Sequence, residues 1–239
     1  MLEILLNGAR QLGLEITSNQ AQQFQLYYQE LVEWNKRVNL TAITDYEEVQ
    51  LKHFLDSLTL WLGLEDKAWA REDFLLLDVG TGAGMPGIPL KILLPKVRLV
   101  LLDSVAKKTT FLKYLVGCLS LDQVEVLTGR AEDVAHQENY RERFDLVISR
   151  AVTKLSTTAE LTLPFCREGG LFIAPKKGQI DEELSQATKA IDILGGQLRE
   201  IKKVDLPKLE PRFLVIVEKV SPTPQRYPRR AGMPEKRPL

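Results

Sequence analysis

The chain has 239 residues, with 32 Lys and Arg against 32 Asp and Glu, so any attraction to a polyanion must come from uneven charge placement and not from net charge. Cys118 and Cys166 are its only cysteines, which excludes a CxxC zinc site and a disulfide framework and fits a reducing cytoplasm. No signal peptide opens the sequence and no apolar run reaches the ~18 residues of a spanning helix, so a soluble, cytoplasmic protein without membrane or metal is expected.

The first quarter reads as helical. Phe24, Tyr28, Leu31 and Val38 recur at helical steps with Ser18 as N-cap, and Glu47 to Trp61 repeats the habit through Val49, Phe54, Leu58 and Trp61. Residues 1–70 are therefore assigned to a helical cap whose apolar stripe needs a partner. From Phe74 the rhythm changes to short apolar runs, Phe74 to Val79, Leu99 to Asp103, Val124 to Thr128, Phe144 to Ser149 and Leu171 to Ala174. Helical candidates at Lys107 to Leu119, Leu155 to Cys166 and Ile180 to Leu194 lie between them, an alternation that predicts βα units and a parallel sheet. Gln197 to Val204 and Arg212 to Lys219 are joined by a short Pro-containing connection, which suits an antiparallel hairpin. The core thus spans 71–220. The remainder, 221–239, holds five prolines and five Lys or Arg against one Glu, a stiff basic tail with no expected helix or central strand.

After the first strand comes Leu77-Asp78-Val79-Gly80-Thr81-Gly82-Ala83-Gly84-Met85-Pro86-Gly87-Ile88-Pro89. At the carboxyl ends of parallel strands a ligand meets exposed backbone N–H groups, and glycine lets that backbone come close. Gly82, Gly84 and Gly87, taken as GxGxxG, suit a dinucleotide equally well. Asp78 favours S-adenosyl-L-methionine, because a carboxylate at the strand end can orient the loop or meet an amino or sulfonium charge, and would repel a pyrophosphate. Asp103 can accept hydrogen bonds from ribose hydroxyls, and Ser104 and Val105 follow it at the same strand end. The terminal hairpin decides by analogy between folds: a doubly wound, Rossmann-like class I α/β methyltransferase whose seven-stranded, mostly parallel sheet ends in an antiparallel hairpin. Ala131-Glu132, after the third strand, are placed to bracket an adenine, and Arg150 stands where substrate and cofactor should meet.

These motifs, with Glu33 to Thr41, His53 to Leu58, Ser149-Arg150-Ala151 and Tyr227 to Pro234, resemble the RsmG or GidB family of bacterial 16S rRNA guanine-N7 methyltransferases over nearly the whole chain. The resemblance implies methyl transfer to N7 of a guanine in the 530 loop and cofactor contacts at Gly80, Met85, Asp103, Ala131, Glu132 and Arg150. Ala83 replaces a proline common in relatives. Guanine N7 carries an in-plane lone pair, so no general base is required, and Arg150 is the expected substrate-positioning residue. His53, beside Phe54 and Leu55, is expected to pack and not to react.

The partner implied is 16S rRNA or the 30S particle, met by a monomer. Lys36, Arg37, Lys107, Lys108, Lys176, Lys177 and the tail residues Arg229 and Arg230 are candidates to hold its phosphates, the tail acting as an arm. A non-catalytic RNA-binding or assembly protein on the same fold would not need the intact set Asp78, Gly80, Gly82, Gly84 and Asp103. A nicotinamide oxidoreductase meets the charge objection at Asp78.

Overall fold

A computed structural model describes residues 2–64, 73–150 and 153–239. Seven strands, β1 Leu75–Val79, β2 Arg98–Asp103, β3 Val124–Thr128, β4 Phe144–Ile148, β5 Cys166–Lys177, β6 Gly196–Val204 and β7 Arg212–Lys219, form one sheet in the order β3-β2-β1-β4-β5-β7-β6. Pairing is parallel from β3 through β5 and antiparallel where β7 enters between β5 and β6. The order reverses between β1 and β4, and that reversal opens a crevice beyond the carboxyl ends of those two strands.

Both faces of the sheet are covered, as period-two side-chain alternation requires when each strand carries consecutive apolar residues. Leu76, Leu99, Leu101, Leu146, Ile148, Ile173 and Ile216 face one core, while Leu77, Val100, Leu102, Val147, Phe172, Val215 and Val217 face the other. The first core also holds Leu5, Phe24, Tyr27, Leu31, Phe54 and Leu58. These come from α1 (Glu3–Gln11), from α2 (Ser18–Asn35), and from a helical run in which α3 (Tyr46–Val49) passes through a π turn over Gln50–Leu55 into α4 (Asp56–Leu58). The amino-terminal helices therefore share their apolar stripe with the sheet. On the same face lie α5 (Gly87–Leu93) and α6 (Ala106–Cys118), and on the other α8 (Leu155–Thr162) and α9 (Asp181–Ile193); the one-turn α7 (Ala131–Val134) follows β3.

Several boundaries differ from the sequence expectation. The N-cap of α2 is Thr17, not Ser18: Thr17 Oγ1 accepts from the Gln20 amide, and Gln20 Oε1 accepts from the Thr17 amide, a capping box that Ser18 has no glutamine in register to form. Helix α8 stops at Thr162 because Pro164 lies in a 3-10 turn, Leu163–Phe165, and Cys166 already belongs to β5. Strand β5 is far longer than Leu171 to Ala174. Gly169 and Gly170 interrupt its apolar pattern but form a bulge, with Gly169 at φ +73° and a Cβ on Gly170 only 2.8 Å from the Phe144 carbonyl oxygen. The tail also contains a helical turn, α10 (Met233–Lys236), which starts at Pro234's side because proline lacks only a donor the first turn does not use.

Phe54 joins the amino-terminal helices to one another, its ring 5.1 Å from both Phe24 and Tyr27 and fully buried. Phe54→Ala should cost about 3–5 kcal/mol, read as a lower urea midpoint with unchanged slope; a loss under about 1 kcal/mol would mean the site collapses to refill the space.

Candidate functional site

The loop after β1 is organised by Asp78. Its carboxylate is fully buried, with Oδ2 accepting from the Gly87 amide at 2.8 Å and from Thr81 Oγ1 at 2.7 Å. Burial pushes its pKa up to about 6, moderated by the Thr81 and Gly87 hydrogen bonds and by the positive charge of Arg150. Oδ1 is buried without a hydrogen-bond partner among the described residues. Gly87 opens α5 so close to β1 and β2 that a Cβ would stand 2.7 Å from Leu101 and 2.9 Å from Asp78 Oδ2. Gly84 adopts φ +99° with the Tyr27 hydroxyl 2.9 Å from where its Cβ would lie.

Two further ties hold this loop. Asp103, at the end of β2, accepts from the Gly82 amide through Oδ2 and from the Val105 amide through Oδ1, both at 2.9 Å. Tyr27, on α2, donates its hydroxyl to the Ala83 carbonyl at 2.6 Å. The backbone is thereby fixed from the sheet and from the amino-terminal helices at once.

Beside the loop lies a cavity of about 320 Å³. Gly80, Asp103, Ser104, Val105, Ala131 and Glu132 line it, so the structure brings these expected residues together from the ends of β1, β2 and β3. Asp78, Gly82, Gly84 and Met85 are not lining residues; they shape the wall from behind, Met85 within the first core. Lys108, expected to hold phosphates, lines this cavity instead, and sequence reasoning missed Ser149, Thr157 and the tail residues Gly232, Pro234 and Glu235 as lining residues. Ser149 directly precedes Arg150, a signal that was available, and Gly232 and Pro234 fall in the Tyr227 to Pro234 motif, but nothing local points that motif at this cavity. Glu132 Oε1 accepts from the Gly232 amide at 2.9 Å, so the carboxylate expected beside an adenine anchors the tail while still facing the cavity.

A second cavity of about 580 Å³ adjoins the first at Thr153, which lines both. It holds Lys52, His53, Asp56, Arg150, Lys154, Lys176, Lys177 and Arg212. Arg150 extends from the end of β4 and donates to Asp56 Oδ2 at 3.1 Å and to the Lys52 carbonyl at 3.2 Å, while Arg212 Nε donates to Asp56 Oδ1 at 2.6 Å. One buried carboxylate thus holds two guanidiniums, and Arg150 lines this cleft and not the first cavity. His53 shares a hydrogen bond between Nε2 and Thr41 Oγ1 at 2.8 Å; burial, then the charge of Arg150, lowers its pKa to about 4, so it is neutral at neutral pH. It packs, as expected, but at the edge of the cleft. Ala151 lies outside the described residues.

The remaining basic candidates scatter. Lys36 and Arg37 pair with Glu33 on the exposed end of α2, outside both cavities. Lys107 is exposed on α6. Lys176 is nearly buried, donating to Glu183 at 2.8 Å and to the Thr153 carbonyl at 2.7 Å, and Lys177 pairs with Glu210. The expectation of a free tail arm is corrected. Arg229 grips the buried Glu160 carboxylate with Nη2 at 2.6 Å and Nε at 2.8 Å, and Arg141 donates to the Thr223 and Tyr227 carbonyls. Buried acceptors take up these cations because an unpaired buried carboxylate would be costly. Arg230 is exposed.

Comparison with known proteins agrees with this architecture. Solved structures with a similar fold include M. jannaschii TYW2 in complex with AdoMet, at a TM-score of 0.51 and 18% identity over 64% of this chain and 74% of that one. TrmN from Thermus thermophilus gives a TM-score of 0.51 and 19% identity over 70% of this chain and 48% of that one. Closer in sequence are the ribosomal RNA small subunit methyltransferases G of Dehalococcoides mccartyi (strain CBDB1), 52% identical over 98% of both chains, and of Roseiflexus sp. (strain RS-1), 46% identical over the full length of both. The family model described as rRNA small subunit methyltransferase G matches residues 20–210. With the glycine loop and the strand-end carboxylates inside that matched span, the chain belongs to the GidB family of rRNA small subunit methyltransferases.

Proposed function

We propose that this enzyme transfers the methyl group of S-adenosyl-L-methionine to N7 of a guanine in the 530 loop of 16S rRNA, acting as a cytoplasmic monomer on the RNA or the 30S particle. The observation that carries the reading is the adjacency of two cavities of different character. One is lined by Gly80 and the carboxylates of Asp103 and Glu132, the other mostly by cations, and they meet at Thr153 beside Arg150.

The residues of the first cavity fit the cofactor. Behind its wall, Asp78 fixes the loop through Gly87 and Thr81 and keeps one carboxylate oxygen without a hydrogen-bond partner among the described residues. Each oxygen of Asp103 accepts one backbone N–H and keeps further acceptor capacity for ribose hydroxyls. Gly80, Ser104, Val105, Ala131 and Glu132 would complete the holding set. When bound, the cofactor supplies an electrophilic methyl group on a sulfonium.

Guanine N7 presents its lone pair without losing a proton, so the chain needs to position the base and not to deprotonate it. Alignment of this kind contributes up to ~7–11 kcal/mol to lowering a barrier. Arg150 is suited to the task because Asp56 fixes its guanidinium while leaving donors free toward the cleft. Lys52, Lys154, Lys176 and Lys177 line the same cleft and can face phosphates of a splayed loop nucleotide, whereas a guanine inside an A-form helix keeps N7 in a groove that side chains rarely reach.

Incubation with labelled S-adenosyl-L-methionine and undermethylated 30S particles or 16S rRNA should place label on a guanine N7 in the 530 loop; label on another atom or loop overturns that assignment. Arg150→Ala should lower turnover about 100-fold while thermal stability changes little, since Asp56 retains Arg212; wild-type turnover would remove Arg150 from the reaction. Stability should be pH-dependent through Asp78. Asp78 is held protonated up to about pH 6 in the fold but ionises near 3.8 when unfolded, so its contribution to stability falls as pH rises across that interval and is level above it. Asp78→Asn should therefore lose that fall, its melting midpoint staying flatter than wild type between about pH 3.8 and 6; an unchanged wild-type profile would mean that another group sets it.

A further inference from the structure

The first cavity is not walled by the sheet ends alone. Gly232, Pro234 and Glu235 form part of its lining, although they lie at the far end of the chain. Three contacts hold them there. Gly232 donates its amide to Glu132, Thr157 Oγ1 donates to the Pro234 carbonyl at 3.1 Å, and Arg229, just upstream, is clamped on Glu160. The clamp is the strongest of the three: Glu160 is fully buried, and its carboxylate accepts from the Arg229 amide, Nε and Nη2 at 2.8, 2.8 and 2.6 Å. Charge-assisted, forked bonds of this kind fix direction as well as distance.

Glu160 belongs to α8, the helix whose Thr157, Thr158 and Leu161 face the cavity, but Glu160 itself does not line it. It presents its carboxylate to the tail instead. One helix therefore supplies part of the cavity wall and grips the neighbouring segment that supplies more of the lining.

We propose that Glu160 is a positioning residue for cofactor binding, acting through Arg229 to hold the Gly232 to Glu235 segment as a wall of the S-adenosyl-L-methionine cavity. The inference rests on the reading of that cavity as the cofactor site. An ion pair with a purely architectural part would set stability and leave affinity for the ligand untouched. A pair that builds the wall sets both.

The test uses the full-length chain and the variants Glu160→Gln, Arg229→Gln, Arg229→Lys and the double variant Glu160→Gln/Arg229→Gln. Cofactor Kd is measured by calorimetry well below the unfolding temperature, and tail docking by hydrogen exchange of amides 225–239. Glu160→Gln and Arg229→Gln should each weaken binding about tenfold, the scale of one lost charge-assisted hydrogen bond, with faster exchange in the tail. KM for cofactor should rise while kcat at saturation changes less. Arg229→Lys, which keeps the charge and loses the fork, should fall between. The double variant strands no charge, so it keeps its fold and should bind as weakly as the single variants. Wild-type affinity in the double variant, with tail exchange fast or slow, overturns the proposal. Failure of the wild-type chain to bind cofactor at all overturns the cofactor reading, and the proposal with it.

Discussion

The buried carboxylate of Asp78 is the constraint on which the rest of the site depends. An ionisable group at the end of a central strand, with no counter-ion in contact among the described residues, is costly unless hydrogen bonds offset the loss of water. Here two donors do so, and both come from the loop that follows: the Thr81 hydroxyl and the Gly87 amide. The chain must therefore curl back over Asp78 between those two positions. That curl turns the backbone of Gly82 toward Asp103 and sets the start of α5. Loop shape, helix start and the link between β1 and β2 follow from satisfying one buried group.

The two ends of the chain then close the two cavities. The amino-terminal helices bring Tyr27 onto the glycine loop and Asp56 onto Arg150, while the carboxyl-terminal segment brings Gly232 and Pro234 onto the first cavity. Neither end is an appendage. Phe24, Tyr27, Phe54 and Leu58 share a core with the sheet, and Tyr227 is buried in the core of the opposite face. This sharing makes the position of Arg150 a property of the whole molecule, since its partner Asp56 is 94 residues away in sequence.

The same arrangement explains how a chain of zero formal net charge can present a basic cleft. Asp56 is shared by Arg150 and Arg212, and Glu210 by Arg212 and Lys177, so three cations meet two carboxylates and one positive charge is in excess. Lys52 and Lys154 add exposed cations, and the pairs Lys177–Glu210 and Lys52–Glu48 are exposed, where ion pairing is weak and easily exchanged for an incoming phosphate. Lys36 and Arg37 sit with Glu33 at the carboxyl end of α2, outside the cleft. Local geometry, not composition, sorts these cations between cleft and ordinary surface.

What was legible from sequence was whatever short-range chemistry enforces. Apolar runs alternating with amphipathic segments mark parallel strands, a carboxylate followed by four glycines marks a ligand loop, and Asp103 and Arg150 declare themselves by standing at strand ends. The sheet, its terminal hairpin and the residues Gly80, Asp103, Ser104, Val105, Ala131 and Glu132 of one cavity followed from that. The tertiary structure alone decided the pairings between distant residues: Arg229 with Glu160 instead of a free basic arm, Glu132 with the Gly232 amide as well as the cavity, and Gly169-Gly170 as an irregularity inside β5 instead of a stretch before a strand at Leu171. The physical reason is common to all three. A charged or glycine residue carries no local mark of whether water or a buried partner will satisfy it, and that choice is made only when folding sets burial and brings the partner within hydrogen-bond reach.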